Sequence, residues 1–348
     1  MRPELVVPPK LAPGDRVAVV SPSFAAPGRF PAVHELAMRR LRDELRLEPV
    51  EYPTTRKVGA SPSERSRDLM AAFTDPGIRA VLATIGGDDQ ITVLPFLDPD
   101  AVRRTPKPFL GYSDNTNLLN WLWTLGIAGY HGGSTMVHLG RPGGLHPVST
   151  DSLRAALLTG GDIEIRPVET FSEDDCDWAD PAGSGRPAPT QPGGDWIWHQ
   201  PTRVVTAPTW GGNLEIVHWN LAAGRWIRPA ADYAGCVLLL ETSEEMPSAV
   251  EVFRILRDAG ERQLLGQFPA VIAGRPKAAS LDHPTPPEER VRYRADQRAS
   301  ILRAFQTYAP DAMIVFGVDF GHTDPQWILP YGGRVTVNGP ERRIIAHY

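Results

Sequence analysis

Short apolar runs alternate with amphipathic segments along the first third of this chain, and that alternation leaves few folds open. Arg16-Val17-Ala18-Val19-Val20 is a β-rich run ending in Ser21-Pro22-Ser23, which reads as a buried strand and its exit loop. Residues 30–45 set Val33, Ala37, Leu41 and Leu45 at helical spacing, with Arg and Glu between them. A second strand is expected over 47–52, a helix over 63–73 and a third strand over 78–85. That third strand runs into Gly86-Gly87-Asp88-Asp89, after which a helix is expected through Leu94. Phe109-Leu110 is a further short strand, followed by Gly111-Tyr112-Ser113-Asp114 and an apolar helical stretch from Asn115. Repeated β-α units predict an α/β fold with a parallel sheet and helices on both faces. Such sheets bind ligands at the carboxyl ends of their strands, where both glycine-containing turns fall.

The 348 residues are enough for about two domains. We expect a nucleophile domain over 1–165, an inter-domain loop over 166–203 and a smaller C-terminal α/β domain over 204–348. In the loop, Phe171-Ser172-Glu173-Asp174-Asp175 is acidic, 181–194 is rich in Pro, Gly and Ala, and Trp178, Trp196 and Trp198 are interspersed. A tryptophan has a large apolar area to hide. These three either staple the loop to the core or line a substrate pocket. The last unit holds a strand over 236–240 ending at Glu241, an amphipathic helix over 248–260 and a strand over 269–273. A long helix within 288–308, a strand over 313–318 and a closing hairpin around 335–337 and 343–345 complete it.

Net charge is −5, so no basic footprint points to nucleic acid. Apolar runs such as Val237-Leu238-Leu239-Leu240 are far too short to span a bilayer, and residues 1–8 lack the apolar stretch of a secretory signal. The two cysteines, Cys176 and Cys236, form neither a metal-type spacing nor a disulfide framework. Asp88-Asp89 lacks the further carboxylates or phosphate loop of a Mg²⁺ site. A cytoplasmic protein without metal, cofactor, membrane or nucleic-acid partner is the expectation.

A serine at a sharp strand-to-helix turn can hold its hydroxyl clear of the backbone, as a nucleophile requires. Ser113 sits at such a turn, but the second Gly of a Gly-x-Ser-x-Gly elbow is absent, and Ser113 or Asp114 could instead cap the helix. A serine nucleophile needs a base, and the base needs a partner that stabilises its charged form. His322 follows an apolar strand and Gly321, which suits a base, though a packed or solvated loop histidine reads the same way. Glu241 ends an apolar strand, where a carboxylate is costly unless paired or exposed. The amides of Gly87 and Asp114 are candidate donors to an oxyanion.

Taken in order, Gly86-Gly87-Asp88-Asp89, Gly111-Tyr112-Ser113-Asp114, Gly211-Gly212-Asn213-Leu214, Leu238-Leu239-Leu240-Glu241 and Gly321-His322 with Leu329-Pro330 downstream resemble the LD-carboxypeptidase family of serine peptidases. The resemblance covers nearly the whole chain. It implies a Ser113–His322–Glu241 triad, an N-terminal domain like class I glutamine amidotransferases, and a homodimer. The loop around Trp178 looks most like the microcin C immunity branch. That likeness implies an aminoacyl-nucleotide substrate whose base stacks on Trp178, with Asp88 also facing substrate. The peptidoglycan-recycling branch implies instead removal of a terminal D-alanine from muropeptides. A non-catalytic ligand-binding protein would leave Ser113, Glu241 and His322 apart.

Overall fold

The computed structural model describes residues 5–179 and 186–348. Strands Arg16–Val20 (β1), Glu48–Glu51 (β2), Ile78–Ala83 (β3), Phe109–Gly111 (β4) and Gly129–His131 (β5) form a parallel sheet. Its order, β2-β1-β3-β4-β5, reverses direction between β1 and β3. At such a switch point the loops leaving neighbouring strands diverge and open a crevice. Ser23 and Gly87 lie in those two loops. The helices Pro31–Asp43 and Pro62–Thr74 form as the spacing predicts, the second with a capping box between Ser61 and Glu64. The helix expected after Asp89 does not form. Only 3₁₀ turns, Gln90–Thr92 and Leu94–Phe96, are present. Here tertiary bonds override propensity: the Gln90 amide donates to Asp114 Oδ2 at 2.9 Å, and its side chain holds Asn115 at 2.7 Å.

After Asp162–Ile165 (β6), Thr170–Phe171 (β7), Gln191–Pro192 (β8) and Ile197–His199 (β9), the chain builds a second sheet. Its parallel centre is Val204–Asn213 (β10), Val237–Glu241 (β11), Ala270–Gly274 (β12) and Met313–Val318 (β13). The hairpin Arg334–Asn338 and Arg343–His347 extends one edge to β6, and β9 pairs antiparallel with β13 on the other. The segment expected to be an inter-domain loop thus supplies one strand, β9, to this sheet, while its β7 and β8 pair with each other. Part of the Pro- and Gly-rich stretch, 180–185, lies outside the described residues.

Leu329–Tyr331 (β14) does not join the second sheet. It pairs antiparallel with β5, Leu329 opposite His131, and closes the edge of the first. The two sheets share one apolar core: Trp123, behind the serine turn, stacks on Tyr233 at 4.9 Å, and Tyr331 donates to Asn120 Oδ1 at 2.6 Å. Cys236 is buried in that core. No described helix is long and apolar enough to cross a membrane.

Candidate active site

Ser113 has φ +60°, the left-handed region, between extended Tyr112 and the helix Thr116–Thr124. For a residue with a Cβ this costs about 1–2 kcal/mol and needs a tight surround to hold it. Glycines make room for that surround. A Cβ on Gly86 would lie 2.8 Å from both Cβ and Oγ of Ser113, and one on Gly111 would lie 2.7 Å from Asn115 Cβ. Asn115 stands where the elbow's second glycine is missing and pins the turn, donating to Ile85 O at 3.0 Å and Tyr112 O at 3.1 Å. Neither Ser113 nor Asp114 caps the helix: the cap position is Asn115, without a side-chain cap bond. Asp114 is buried, and its carboxylate accepts from Ser23 Oγ at 2.5 Å, Gln90 N at 2.9 Å and Asn117 Nδ2 at 2.8 Å. It braces the turn from behind.

Glu241, the last residue of β11, is 2% exposed. Its Oε2 lies 2.6 Å from His322 Nδ1, and its Oε1 is 3.6 Å from His131 Nε2, beyond a good hydrogen bond. Two glycines fit closely round it: a Cβ on Gly321 would come within 2.7 Å of Glu241 Oε2, and one on Gly274 within 2.9 Å of Glu241 Cβ. Burial alone would push Glu241 up, but His322 and His131 pull it down to about 2. Burial likewise disfavours imidazolium at His322, yet the Glu241 and Glu244 carboxylates outweigh it and raise His322 to about 10. Glu244 is the unexpected member. Its Oε2 sits 3.1 Å from His322 Nε2, with its side chain 53% exposed. Water screens much of its pull, so Glu241 carries the larger share.

Ser113, Gly87, Asp88, Trp178, Glu244 and His322 all line one cavity of about 470 Å³. The structure therefore joins Glu241 to His322 and puts Ser113 on the lining of the same cavity, but Nε2 faces Glu244 and Ser113 Oγ has no hydrogen bond among the described residues. The Tyr112 ring lies edge-on to His322, centroids 5.0 Å apart. The Gly87 amide makes no hydrogen bond among the described residues, and a Cβ at Gly87 would collide with Ser23 Oγ. Asp88 is exposed at the rim, whereas Asp89 is held by a bidentate Arg65 at 2.7 and 2.6 Å. Trp178 packs edge-on against Phe30, centroids 5.4 Å apart. Trp196 instead staples the loop, donating to buried Asp319 at 3.0 Å, and Trp198 lies in β9. The acidic stretch is tied down as well. Glu173 is buried between Arg294, at 2.7 Å, and Arg290, and Asp175 pairs with Lys277. No group of three or more His, Cys, Asp or Glu among the described residues could hold a metal.

A two-sheet α/β protein with its cavity at the carboxyl ends of the parallel strands is the class this fold defines. The LD-carboxypeptidase N-terminal domain matches residues 17–132, and the LD-carboxypeptidase C-terminal domain matches residues 206–337. The chain belongs to this family, peptidase family S66, which makes it a peptidase-type hydrolase. A Treponema pallidum (strain Nichols) protein named as a carboxypeptidase is 28% identical over 334 residues, 94% of this chain and 91% of the relative. The Escherichia coli microcin C7 self-immunity protein MccF is 30% identical over 118 residues, 33% of this chain and 34% of MccF. An MccF-like protein from Streptococcus pneumoniae, solved with AMP, superposes with TM-score 0.85 at 25% identity, covering 96% of this chain and 99% of that one. A structure of MccF with glutamyl sulfamoyl guanosine matches in fold, TM-score 0.81 at 22% identity over 99% of each chain.

Proposed function

We propose that the chain is a serine hydrolase that cleaves the bond between an aminoacyl group and a nucleotide. The observation that carries this reading is the 2.6 Å contact of His322 Nδ1 with buried Glu241, His322 lining the same cavity as Ser113. Glu241 fixes the imidazole and stabilises its charged form. In the reaction Glu244 gives up Nε2, which takes the Oγ proton of Ser113. Ser113 Oγ then bonds to the acyl carbon, and the amides of Gly87 and Asp114 receive the developing oxyanion. His322 returns the proton to the leaving nitrogen, and water, activated by the same imidazole, releases the acyl group. The cavity volume suits a nucleotide-sized ligand. AMP in the S. pneumoniae relative supports a nucleotide, with Trp178 the aromatic surface for its base and Asp88 a polar contact at the rim. The reading includes a cytoplasmic homodimer, as the family resemblance implies.

The test is product release from aminoacyl sulfamoyl adenosines and from a muropeptide panel, followed by chromatography, for the native protein and Ser113→Ala. Cleavage of the nucleotides that falls by at least about 10³ in the variant is expected. A variant cleaving at the native rate refutes the assignment, and cleavage confined to muropeptides moves the protein to the carboxypeptidase reading.

A further inference from the structure

We infer that Glu244 is a specificity residue that receives a cationic nitrogen from the acyl half of the substrate. The inference rests on the hydrolytic reading above and begins from a conflict within it. His322 meets two carboxylates, Glu241 Oε2 at Nδ1 and Glu244 Oε2 at Nε2. As an imidazolium it donates to both. Once His322 stands ready as a base its Nε2 carries a lone pair, and that lone pair faces the Glu244 carboxylate 3.1 Å away. An acceptor against an anion repels, so Glu244 leaves Nε2 for water or for a cation before Ser113 uses Nε2.

The cavity's own cations are engaged elsewhere. Lys277 is buried and paired with Asp175. Arg141 donates to Asp324 Oδ2 at 2.7 Å. Asp174 is met by Arg290 at 3.0 Å, from outside the lining. The Lys277 charge reaches Glu244 through space, but Asp88 and Glu244 have no Lys or Arg within ion-pair distance among the described residues, and the lining as a whole is acidic. A positive group arriving with the substrate would meet Glu244 beside the reacting atoms, draw it off Nε2 and free the imidazole for Ser113. A substrate with an anion there would meet like charge. Because Glu244 borders Nε2, the cation must come close in space to the scissile carbonyl. Two sources fit: the α-ammonium of the acyl group, or an ammonium on its side chain.

Two ligand pairs separate these sources. Alanyl and propionyl sulfamoyl adenosine differ by the α-ammonium, and lysyl and norleucyl sulfamoyl adenosine differ by the side-chain ammonium. Dissociation constants are measured by calorimetry on the full chain carrying Ser113→Ala, which binds without turnover, with Glu244 intact or as Glu244→Gln. The charged member of at least one pair should bind about tenfold tighter when Glu244 is present, and that ratio should fall towards one in Glu244→Gln. The pair that responds names the source. Ratios near one with Glu244 present, ratios unmoved by Glu244→Gln, or no binding by any of the four overturns the assignment. Charge-ranked binding without hydrolysis by the native protein overturns the hydrolase reading and leaves Glu244 as a binding residue.

Discussion

His322 Nδ1 lies 2.6 Å from Glu241 Oε2, with the Glu241 side chain 1% and the His322 side chain 8% exposed. Each moves the other's proton equilibrium, so the pair sets a pH window. His322 is raised, from an ordinary value near 6.5 to about 10. Its contribution to stability is complete below pH 6.5 and fades as pH climbs towards 10. Glu241 is lowered, from 4.5 to about 2, so its contribution is complete above pH 4.5 and fades as pH falls towards 2. Denaturant unfolding across pH should therefore show this pair's full support between about pH 4.5 and 6.5, and Glu241→Gln should flatten both limbs.

Activity follows a different rule, because the base must be neutral. The free-enzyme profile, kcat/KM against pH, should rise with a midpoint above the usual histidine value. Removing one of the two carboxylates weakens the hold on the proton. Glu244→Gln should move that midpoint to lower pH. A midpoint unchanged in the variant would show that Glu244 does not act on His322 in solution.

The left-handed backbone at Ser113 makes a paired prediction. Ser113→Ala and Ser113→Gly both remove the hydroxyl and should both be inactive. Alanine keeps the strain of φ +60°, whereas glycine relieves it. Set against glycine's larger unfolded-state entropy, the glycine variant should be more stable than the alanine variant by up to about 1 kcal/mol in urea.

Gly321→Ala tests how closely Glu241 must be held. The residue has φ +95°, and its added Cβ would come within 2.7 Å of Glu241 Oε2. Displacing the carboxylate misplaces His322, and small misplacements of this kind cost about 10² in rate. The loss should fall on kcat, while ligand affinity of a form that also carries Ser113→Ala changes little.

Glu173→Ala addresses the loop that carries Trp178. It leaves Arg290 and Arg294 without their buried partner, a loss of about 3 kcal/mol at the lower end of what breaking such a pair costs. Limited proteolysis should then cut near residues 172–179 faster than in the native protein, and KM should rise.

The parallel sheet and the ends of its strands were legible because strand burial is written in short apolar runs such as 16–20 and 237–240. Glu241 stood out because a charged residue right after such a run is costly, whereas His322, four residues past the run at 313–318, stood out mainly through the family resemblance. Glu244 was in view, in Thr242-Ser243-Glu244-Glu245, but nothing in four polar residues says which one turns towards the histidine. The contact of His131 with Glu241 was hidden because it joins strands of different sheets. The helix expected after Asp89 failed for a related reason. Gln90 is spent on Asp114, Asn115 and the Leu118 amide, partners a local pattern cannot reveal.

The strand Leu329–Tyr331, which closes the first sheet against Gly129–His131, also sets a timetable. A chain emerges from the ribosome N-terminus first. The serine turn is thus made early, on a sheet whose outer strand has an open edge, with neither Glu241 nor His322 yet synthesised. An open edge invites pairing with other chains until it is covered. His322 appears only a few residues before the strand that covers it. On the proposed mechanism the nascent protein is therefore chemically silent through most of its synthesis, and the arrival of its base nearly coincides with the sealing of that border.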